Sequence, residues 1–319
     1  MTRYRKQLPQ LAGDIFLTDG GTETDLIYSR GFELPCFASF HLLNDDAGYA
    51  AIKDYYRKHA EVASRYKVGF ILDSLTYRAS ADWAEELGYS SLELAEMNHK
   101  AIELLRDVGR EYESNSSKMV LSGCLGPRED AYLPTGNMTA DESEQYHIEQ
   151  IKTLDAAGVD MISALTLNEV DEAIGITRAA ISVGIPVVIS FSLETDGSLL
   201  KGGLLKDAIS QIDRATDNGP VYYMINCAHP THFEHILNNE SWGQRIRGIR
   251  ANASCKSHAE LWQSEILEDG DPIELGEQYA DLASRFEPLN VFGGCCGTNH
   301  QHLEAICKSV LQSRNPVVH

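Results

Sequence analysis

Asp14-Ile15-Phe16-Leu17-Thr18-Asp19-Gly20-Gly21-Thr22-Glu23-Thr24 is an apolar run that ends on a carboxylate and two glycines. It holds no Gly-x-Gly-x-x-Gly, the turn with which an open doubly wound sheet seats a dinucleotide phosphate. Eight apolar or β-branched runs recur along the chain, at 14–18, 68–72, 118–121, 159–164, 186–191, 221–225, 245–251 and 289–292. Their apolar character does not alternate, which suits strands buried on both faces of a parallel sheet. Between most of them lie segments with helical spacing, clearest at 45–66, 90–112, 140–157, 169–183 and 299–312. Asp141, Glu142 and Glu144 crowd the start of the third, where the helix dipole favours carboxylates. Eight strand-helix units predict an α/β protein with a closed (β/α)8 TIM barrel, and an open doubly wound sheet is the second choice. No Pro-, Gly- or Ser-rich linker divides the chain, so residues 1–319 read as a single barrel domain.

Composition narrows the function. A net charge of -20 and a pI near 4.9 oppose nucleic-acid binding, which needs clustered Lys and Arg to neutralise phosphates. No run reaches the 18 or so apolar residues of a membrane span, and the basic N-terminus lacks the apolar core of a secretory signal. Seven cysteines, an odd number, favour reduced thiols or metal ligation over a disulfide framework, and a cytoplasmic location.

The unusual residues gather just after the runs, where a barrel keeps its chemistry. Asp19-Gly20-Gly21 follows the first, Asp73-Ser74 and Thr76-Tyr77 the second, Gly123-Cys124 the third and Asn226-Cys227 the sixth. Asn252 and Ser254 follow the seventh, and Gly293-Gly294-Cys295-Cys296-Gly297-Thr298 closes the eighth. The sixth and eighth strands would be next-but-one neighbours, so Cys227, Cys295 and Cys296 are candidate ligands of one zinc ion with an open fourth position. Glycine flanks would let consecutive cysteines turn toward the same ion.

Other readings stay open at this point. Free cysteine often serves as a small buried hydrophobe, and the vicinal pair could form a disulfide. Cys36, Cys124, Cys255 and Cys307 are read as packing residues, with Cys124 and Cys255 as spare ligands. His229, His232, His300 and His302 flank the cysteines and read as solvated or helix-capping. Asp19 takes a general-base reading, and equally one of capping its own turn.

These residues resemble the zinc-dependent homocysteine S-methyltransferases. Gly293-Gly294-Cys295-Cys296-Gly297-Thr298 is similar to the family's C-terminal zinc motif, and Asn226-Cys227 to its upstream ligand. Asp19-Gly20-Gly21 looks like the N-terminal Asp-Gly-Gly motif, and Thr76-Tyr77-Arg78-Ala79-Ser80 stands in the place of a Ser-Tyr-Gln-Ala-Ser segment. The resemblance implies a barrel in which three cysteine thiolates hold Zn2+. It implies a small-molecule thiol acceptor, homocysteine or a relative, and a sulfonium methyl donor, S-methylmethionine or S-adenosylmethionine. Asp19 would serve catalysis and acceptor binding, with Gly20, Gly21, Tyr77, Arg78 and Asn252 as further substrate contacts. Chain length fits the compact members that serve methionine biosynthesis. No nucleic acid or membrane partner is expected, and a homo-oligomer is admitted.

One departure matters. The family places a Glu-Thr pair after the fourth strand, whose glutamate binds the amino group of homocysteine, whereas here Ser163-Ala164-Leu165-Thr166-Leu167-Asn168 puts Leu165 at the glutamate's place. Arg78 stands where compact members have Gln. An apolar wall plus a cation disfavours an α-ammonium by desolvation and repulsion. The acceptor is therefore expected to differ from ordinary homocysteine, or to be bound another way, with Glu169 or Asp73 as substitutes. A second reading is a family-derived metal-binding protein that lost turnover with its glutamate. A third, a zinc hydrolase, is opposed by the all-sulfur donor set.

Overall fold

The computed structural model describes residues 2–132, 136, 138–264 and 266–314. Strands β1 (Phe16–Leu17), β2 (Gly69–Asp73), β3 (Met119–Leu125), β4 (Met161–Leu167), β5 (Val187–Phe191), β6 (Tyr222–Asn226), β7 (Ile246–Ala251) and β8 (Val291–Gly294) pair in chain order. All pairs are parallel, and β8 returns to β1 with Phe16 opposite Val291. That closure makes the (β/α)8 TIM barrel and excludes the open doubly wound sheet.

Burial on both faces explains the unalternated runs: β2, β4, β5, β6 and β8 are buried at every residue. Phe16, Ile71, Val120, Met161, Val188 and Met224 pack together as one cluster, while their neighbours Leu17, Phe70 and Leu72 pack in the larger core with the helices. The polar-looking N-terminus contributes Leu8 to the first cluster. Fully buried Gln10 donates through Nε2 to the Tyr222 hydroxyl at 3.5 Å, and its carbonyl accepts from Asn290 at 2.7 Å. That segment therefore closes the N-terminal end of the barrel.

β3 and β4 run past the expected 118–121 and 159–164, to Leu125 and Leu167. For β3 the physical reason is Ser122, whose hydroxyl meets that of Ser163 at 2.8 Å inside the sheet and so interrupts the apolar signal without ending the strand; β4 continues past 164 through an irregular register with left-handed Thr166. Helices Asp46–Tyr66, Ser91–Tyr112, Ala140–Ala157, Val170–Val183 and His300–Arg314 occupy the five expected segments, and Leu205–Thr216 and Pro272–Arg285 add to them. Between β6 and β7 the described elements are only the turn Pro230–Phe233 and the 3-10 turn Gly243–Arg245. Glu142 does more than meet a dipole. Its carboxylate accepts the Thr139 N–H at 2.9 Å while Thr139 Oγ1 accepts the Glu142 N–H at 3.3 Å, a reciprocal capping box. Among the described residues, no helix is long and apolar enough to cross a membrane.

His59, inside Asp46–Tyr66, carries a pH signature. Its ring is 1% exposed, and Nδ1 lies 2.8 Å from the Tyr55 carbonyl. Burial pulls its pKa from 6.5 down to about 4. Between those values the unfolded chain binds a proton that the folded one refuses. Stability should therefore fall as pH drops through this window, by roughly 3 kcal/mol when complete. His229, also held near 4 by burial, acts in the same direction. Urea denaturation at stepped pH should show His59→Gln flattening this decline; an unchanged slope would refute the assignment.

Candidate active site

The site sits where the strand ends converge. Cys227 follows β6 and holds a left-handed backbone, φ 52°, which costs a non-glycine residue about 1–2 kcal/mol. Three donors converge on its carbonyl: His258 Nε2 at 2.6 Å, Asn252 Nδ2 at 3.1 Å and Ser192 Oγ at 3.5 Å. Asn226 braces the preceding position. Its Oδ1 accepts from the Thr166 N–H at 2.9 Å and from Ser190 Oγ at 2.6 Å, and its Nδ2 donates to Thr166 Oγ1 at 2.7 Å. Thr166 is itself left-handed, φ 60°, so Asn226 ties two left-handed residues together across the ends of the next-but-one strands β4 and β6.

The Cys295-Cys296 turn is fixed as firmly. The Cys295 N–H donates to the Ala251 carbonyl at 2.8 Å, and the Cys296 carbonyl accepts from Ala253 at 3.0 Å. The flanking glycines do different jobs. Gly297 takes φ 81° to make the turn, whereas a Cβ on Gly294 would collide with the Thr298 side chain. Cys227, Cys295 and Cys296 thus come together with their sulfurs all within 4.8 Å of one another. Cys227 and Cys295 are joined as a disulfide, Cα–Cα 5.4 Å, and Cys296 is free. The vicinal Cys295-Cys296 bond is therefore not formed.

Once reduced, the trio suits zinc. Tetrahedral zinc with bonds of about 2.3 Å spaces its sulfurs roughly 3.8 Å apart, within the observed spread. No His, Asp or Glu among the described residues joins the group. His232 Nε2 is engaged by the Cys255 carbonyl at 2.8 Å, His302 Nε2 by that of Asp269 at 2.7 Å, and His229 caps the turn it begins. Cys124 is buried and lines the cavity without entering the sulfur group, and Cys307 is buried in the core. Cys255 is exposed and Cys36 half-exposed at the cavity wall, so neither is the packing residue expected. Cys255 sits between Ser254 and Lys256 in a polar loop, and Cys36 in the 3-10 turn Pro35–Phe37 that forms part of the cavity wall.

The sulfurs open onto a cavity of about 560 Å3 lined by Asp19, Gly20, Gly21, Tyr77 and Arg78 as well. Asp19 is not placed as a free base. It is 1% exposed, Oδ1 takes Arg250 Nη2 at 2.6 Å, and Oδ2 takes the Thr22 hydroxyl at 2.9 Å and that of Tyr55 at 3.3 Å. Arg250, near the end of β7, also binds Asp73 at 2.7 Å and the Gly294 carbonyl at 3.2 Å, tying β1, β2, β7 and β8 together under the site. Burial opposes its charge, but the two carboxylates outweigh burial and hold its pKa above that of ordinary arginine. Asp73 is pushed upward, because burial exceeds the relief from Arg250.

Asn252 does not line the cavity; it turns to the Cys227 carbonyl, so its contact is with a candidate ligand's backbone rather than with substrate. Arg78 does line it, yet its charge is already met. Nη2 bonds Asp130 at 2.8 Å and the guanidinium lies 3.8 Å over the Trp83 ring. The repulsion expected of Arg78 toward an ammonium is thereby cancelled. Leu165 presents hydrocarbon to the cavity. Neither expected substitute for a carboxylate there is free, since Asp73 pairs with Arg250 and Glu169 with Lys201, away from the cavity lining.

Arg250, Glu23, Tyr132 and His258 were not singled out from sequence. Arg250 is one of three arginines in the run 245–251, with Arg245 and Arg247, and its place nearest the C-terminal end of that run was the available signal. Tyr132 hydrogen-bonds to Cys296, and burial raises its phenol well above the ordinary range. It lies in the segment between β3 and the helix Ala140–Ala157, of which residues 133–135 and 137 fall outside the described residues.

Comparison with known proteins agrees with this geometry. The family model described as homocysteine S-methyltransferase matches residues 16–310. Methionine synthase of Mycobacterium tuberculosis is 27% identical over 234 residues, 70% of this chain and 19% of that protein. The Mycobacterium leprae methionine synthase is 25% identical over 235 residues, 70% of this chain and again 19% of the relative. The chain thus spans about a fifth of the length of these curated relatives. Among solved structures, the oxidised form of the Escherichia coli homocysteine methyltransferase MmuM superposes with TM-score 0.76 at 17% identity, covering 98% of this chain and 100% of that one. Its metallated form gives TM-score 0.74 at 17% identity, covering 96% and 99%. With the family match running from β1 into the last helix, over the barrel mouth that carries the three cysteines, the chain belongs to the homocysteine S-methyltransferase family.

Proposed function

We propose that this barrel is the catalytic unit of a zinc-dependent S-methyltransferase that moves a methyl group from a sulfonium donor, S-methylmethionine or S-adenosylmethionine, to the thiol of homocysteine or a close relative. The observation that carries this reading is the group of three sulfurs, free of nitrogen and oxygen ligands, at the wall of a cavity rich in carboxylates. Cys227, Cys295 and Cys296 would hold the zinc, which would supply the positive charge that keeps an acceptor sulfur deprotonated near neutral pH.

The chain's own residues do the rest. Arg250 fixes the floor from which Asp19 and the Cys295 turn project, and Tyr132 bonds to the Cys296 sulfur. Tyr77, Leu165 and Leu75 give the cavity apolar wall. In the transfer, the acceptor sulfur gains a bond to the methyl carbon, the donor's carbon–sulfur bond breaks, and the donor leaves as a neutral thioether. The thiol proton goes to solvent. The reading as a metal-binding protein without turnover is not favoured, because the cavity, its carboxylates and its sulfurs are all retained.

Zinc-loaded protein, purified under reducing conditions, should make methionine from homocysteine and S-methylmethionine or S-adenosylmethionine at about 1 s⁻¹ or faster. Product formation followed by chromatography tests this. Absence of a methylated product across a panel of thiols and both donors would overturn the proposal.

A further inference from the structure

We propose that Glu23 is the counter-ion for the α-ammonium group of the acceptor amino thiol and sets the acceptor specificity of the cavity; the assignment rests on the thiol-transfer reading above. Charge accounting isolates this residue. Of the carboxylates lining the cavity, Asp19 and Asp73 are paired with Arg250, Asp130 with Arg78, and Glu268 with Lys256 at 2.6 Å. Glu23 also lines the cavity, and among the described residues it has no ion-pair partner. Its donors are the Ser39 hydroxyl, 2.7 Å from Oε1, and its own backbone N–H. Burial penalises its ionised form, which a cation arriving with substrate would relieve.

The carboxylate and the sulfurs are held by one hydrogen-bonded unit. Gly21 and Thr24 bracket Glu23: the Gly21 N–H donates to the Thr298 carbonyl at 3.1 Å, and Thr24 Oγ1 accepts the Gly297 N–H at 3.2 Å. Gly21 is pressed so close that an added Cβ would lie 2.5 Å from the Cys295 carbonyl. The turn bearing Glu23 is therefore laced to the turn bearing Cys295 and Cys296. Glu23 and the three sulfurs line one cavity, so an amino thiol seated at the sulfurs brings its ammonium into the space that Glu23 faces.

The choice of the ammonium over the donor's sulfonium follows from hydrogen bonding. An ammonium carries N–H groups that need a directional acceptor, and a carboxylate supplies one. A trialkylsulfonium has no such hydrogen; the donors carry an α-ammonium too, and the acceptor's is assigned to Glu23 because the acceptor thiol is the group seated at the sulfurs, whose turn is laced to the one bearing Glu23. Leu165 brings no charge, so Glu23 takes the ammonium-binding role within the cavity.

Calorimetric titration of zinc-loaded protein with homocysteine and with 4-mercaptobutanoate, the same thiol without its amino group, tests the assignment. Wild-type protein should bind homocysteine about 10- to 100-fold more tightly than the des-amino thiol, the range for a hydrogen bond to a charged group. Glu23→Gln should erase that preference by weakening homocysteine alone, with zinc content and S-methylmethionine affinity unchanged. Equal binding of the two thiols by wild-type protein overturns the assignment without any variant. So does a Glu23→Gln protein that keeps the preference, or one that loses only donor affinity. If neither thiol binds wild-type protein, the methyl-transfer reading fails, and this assignment with it.

Discussion

Cys296→Ala, in protein purified under reducing conditions, is expected to lower bound zinc from about one ion per chain to a trace and to cost at least ~100-fold in methyl transfer. Two sulfurs from separate strand ends would remain, and nothing beside them can complete the set. Cys124 stays outside the sulfur group, Cys255 is exposed, and the four histidines near the cysteines in sequence do not join it. The Tyr132 phenol, raised by burial, keeps its proton and is a poor substitute. Loss of this outer hydrogen bond alone would cost less than loss of the ligand. Metal analysis after exhaustive dialysis, alongside initial rates, checks the result. Cys124→Ala is the control and should keep its zinc. A Cys296→Ala protein that retains one zinc and full rate would remove the sulfur group from the mechanism.

The barrel and the sulfur site were legible in the sequence for different reasons. A parallel strand buried on both faces writes itself as an uninterrupted apolar run, so all eight strands appeared in their order. They were cut short where a polar or glycine residue continued the strand, at Ser122 in β3, whose hydroxyl is satisfied by Ser163 inside the sheet, and at Gly293-Gly294 in β8. Cysteines at two strand ends declared themselves because strand order alone brings next-but-one neighbours together. Asp19, Arg78 and Asn252 were visible as residue types, but their chemistry depends on partners from distant strands. Arg250 neutralises Asp19 across 231 positions of sequence, Asp130 neutralises Arg78, and Asn252 turns to a carbonyl that exists as an acceptor only because Cys227 is left-handed. The same limit hid Glu23. Its interest lies in what it lacks, a cation, and a missing partner has no signature along a chain.

Arg250→Met should be the most destabilising single change in the barrel mouth, at about 3–5 kcal/mol, because it leaves the buried carboxylates of Asp19 and Asp73 without their common cation. Arg250→Lys should recover only part of this loss. One ammonium cannot reproduce a planar fork that reaches both carboxylates and the Gly294 carbonyl together. Urea denaturation near neutral pH measures the effect, and its pH dependence identifies the cause. Burial already pushes the Asp73 carboxyl upward, and removing Arg250 removes the opposing pull. A carboxyl whose folded pKa is raised binds protons more readily in the folded state. Its stabilising contribution is then full below the unfolded pKa and is lost as pH rises through the folded one. The variant should consequently recover stability on mild acidification, over a range in which His59 makes the parent lose it. The two curves should converge as the pH falls. Neutralising the carboxylates in the same chain, Asp19→Asn and Asp73→Asn with Arg250→Met, should restore much of the stability without restoring activity, since three uncharged groups can share that space but cannot orient the Cys295 turn as the ion pairs do. A loss under about 1 kcal/mol for Arg250→Met, or parallel pH curves, would mean that solvent reaches these carboxylates and that the barrel floor is not held by charge.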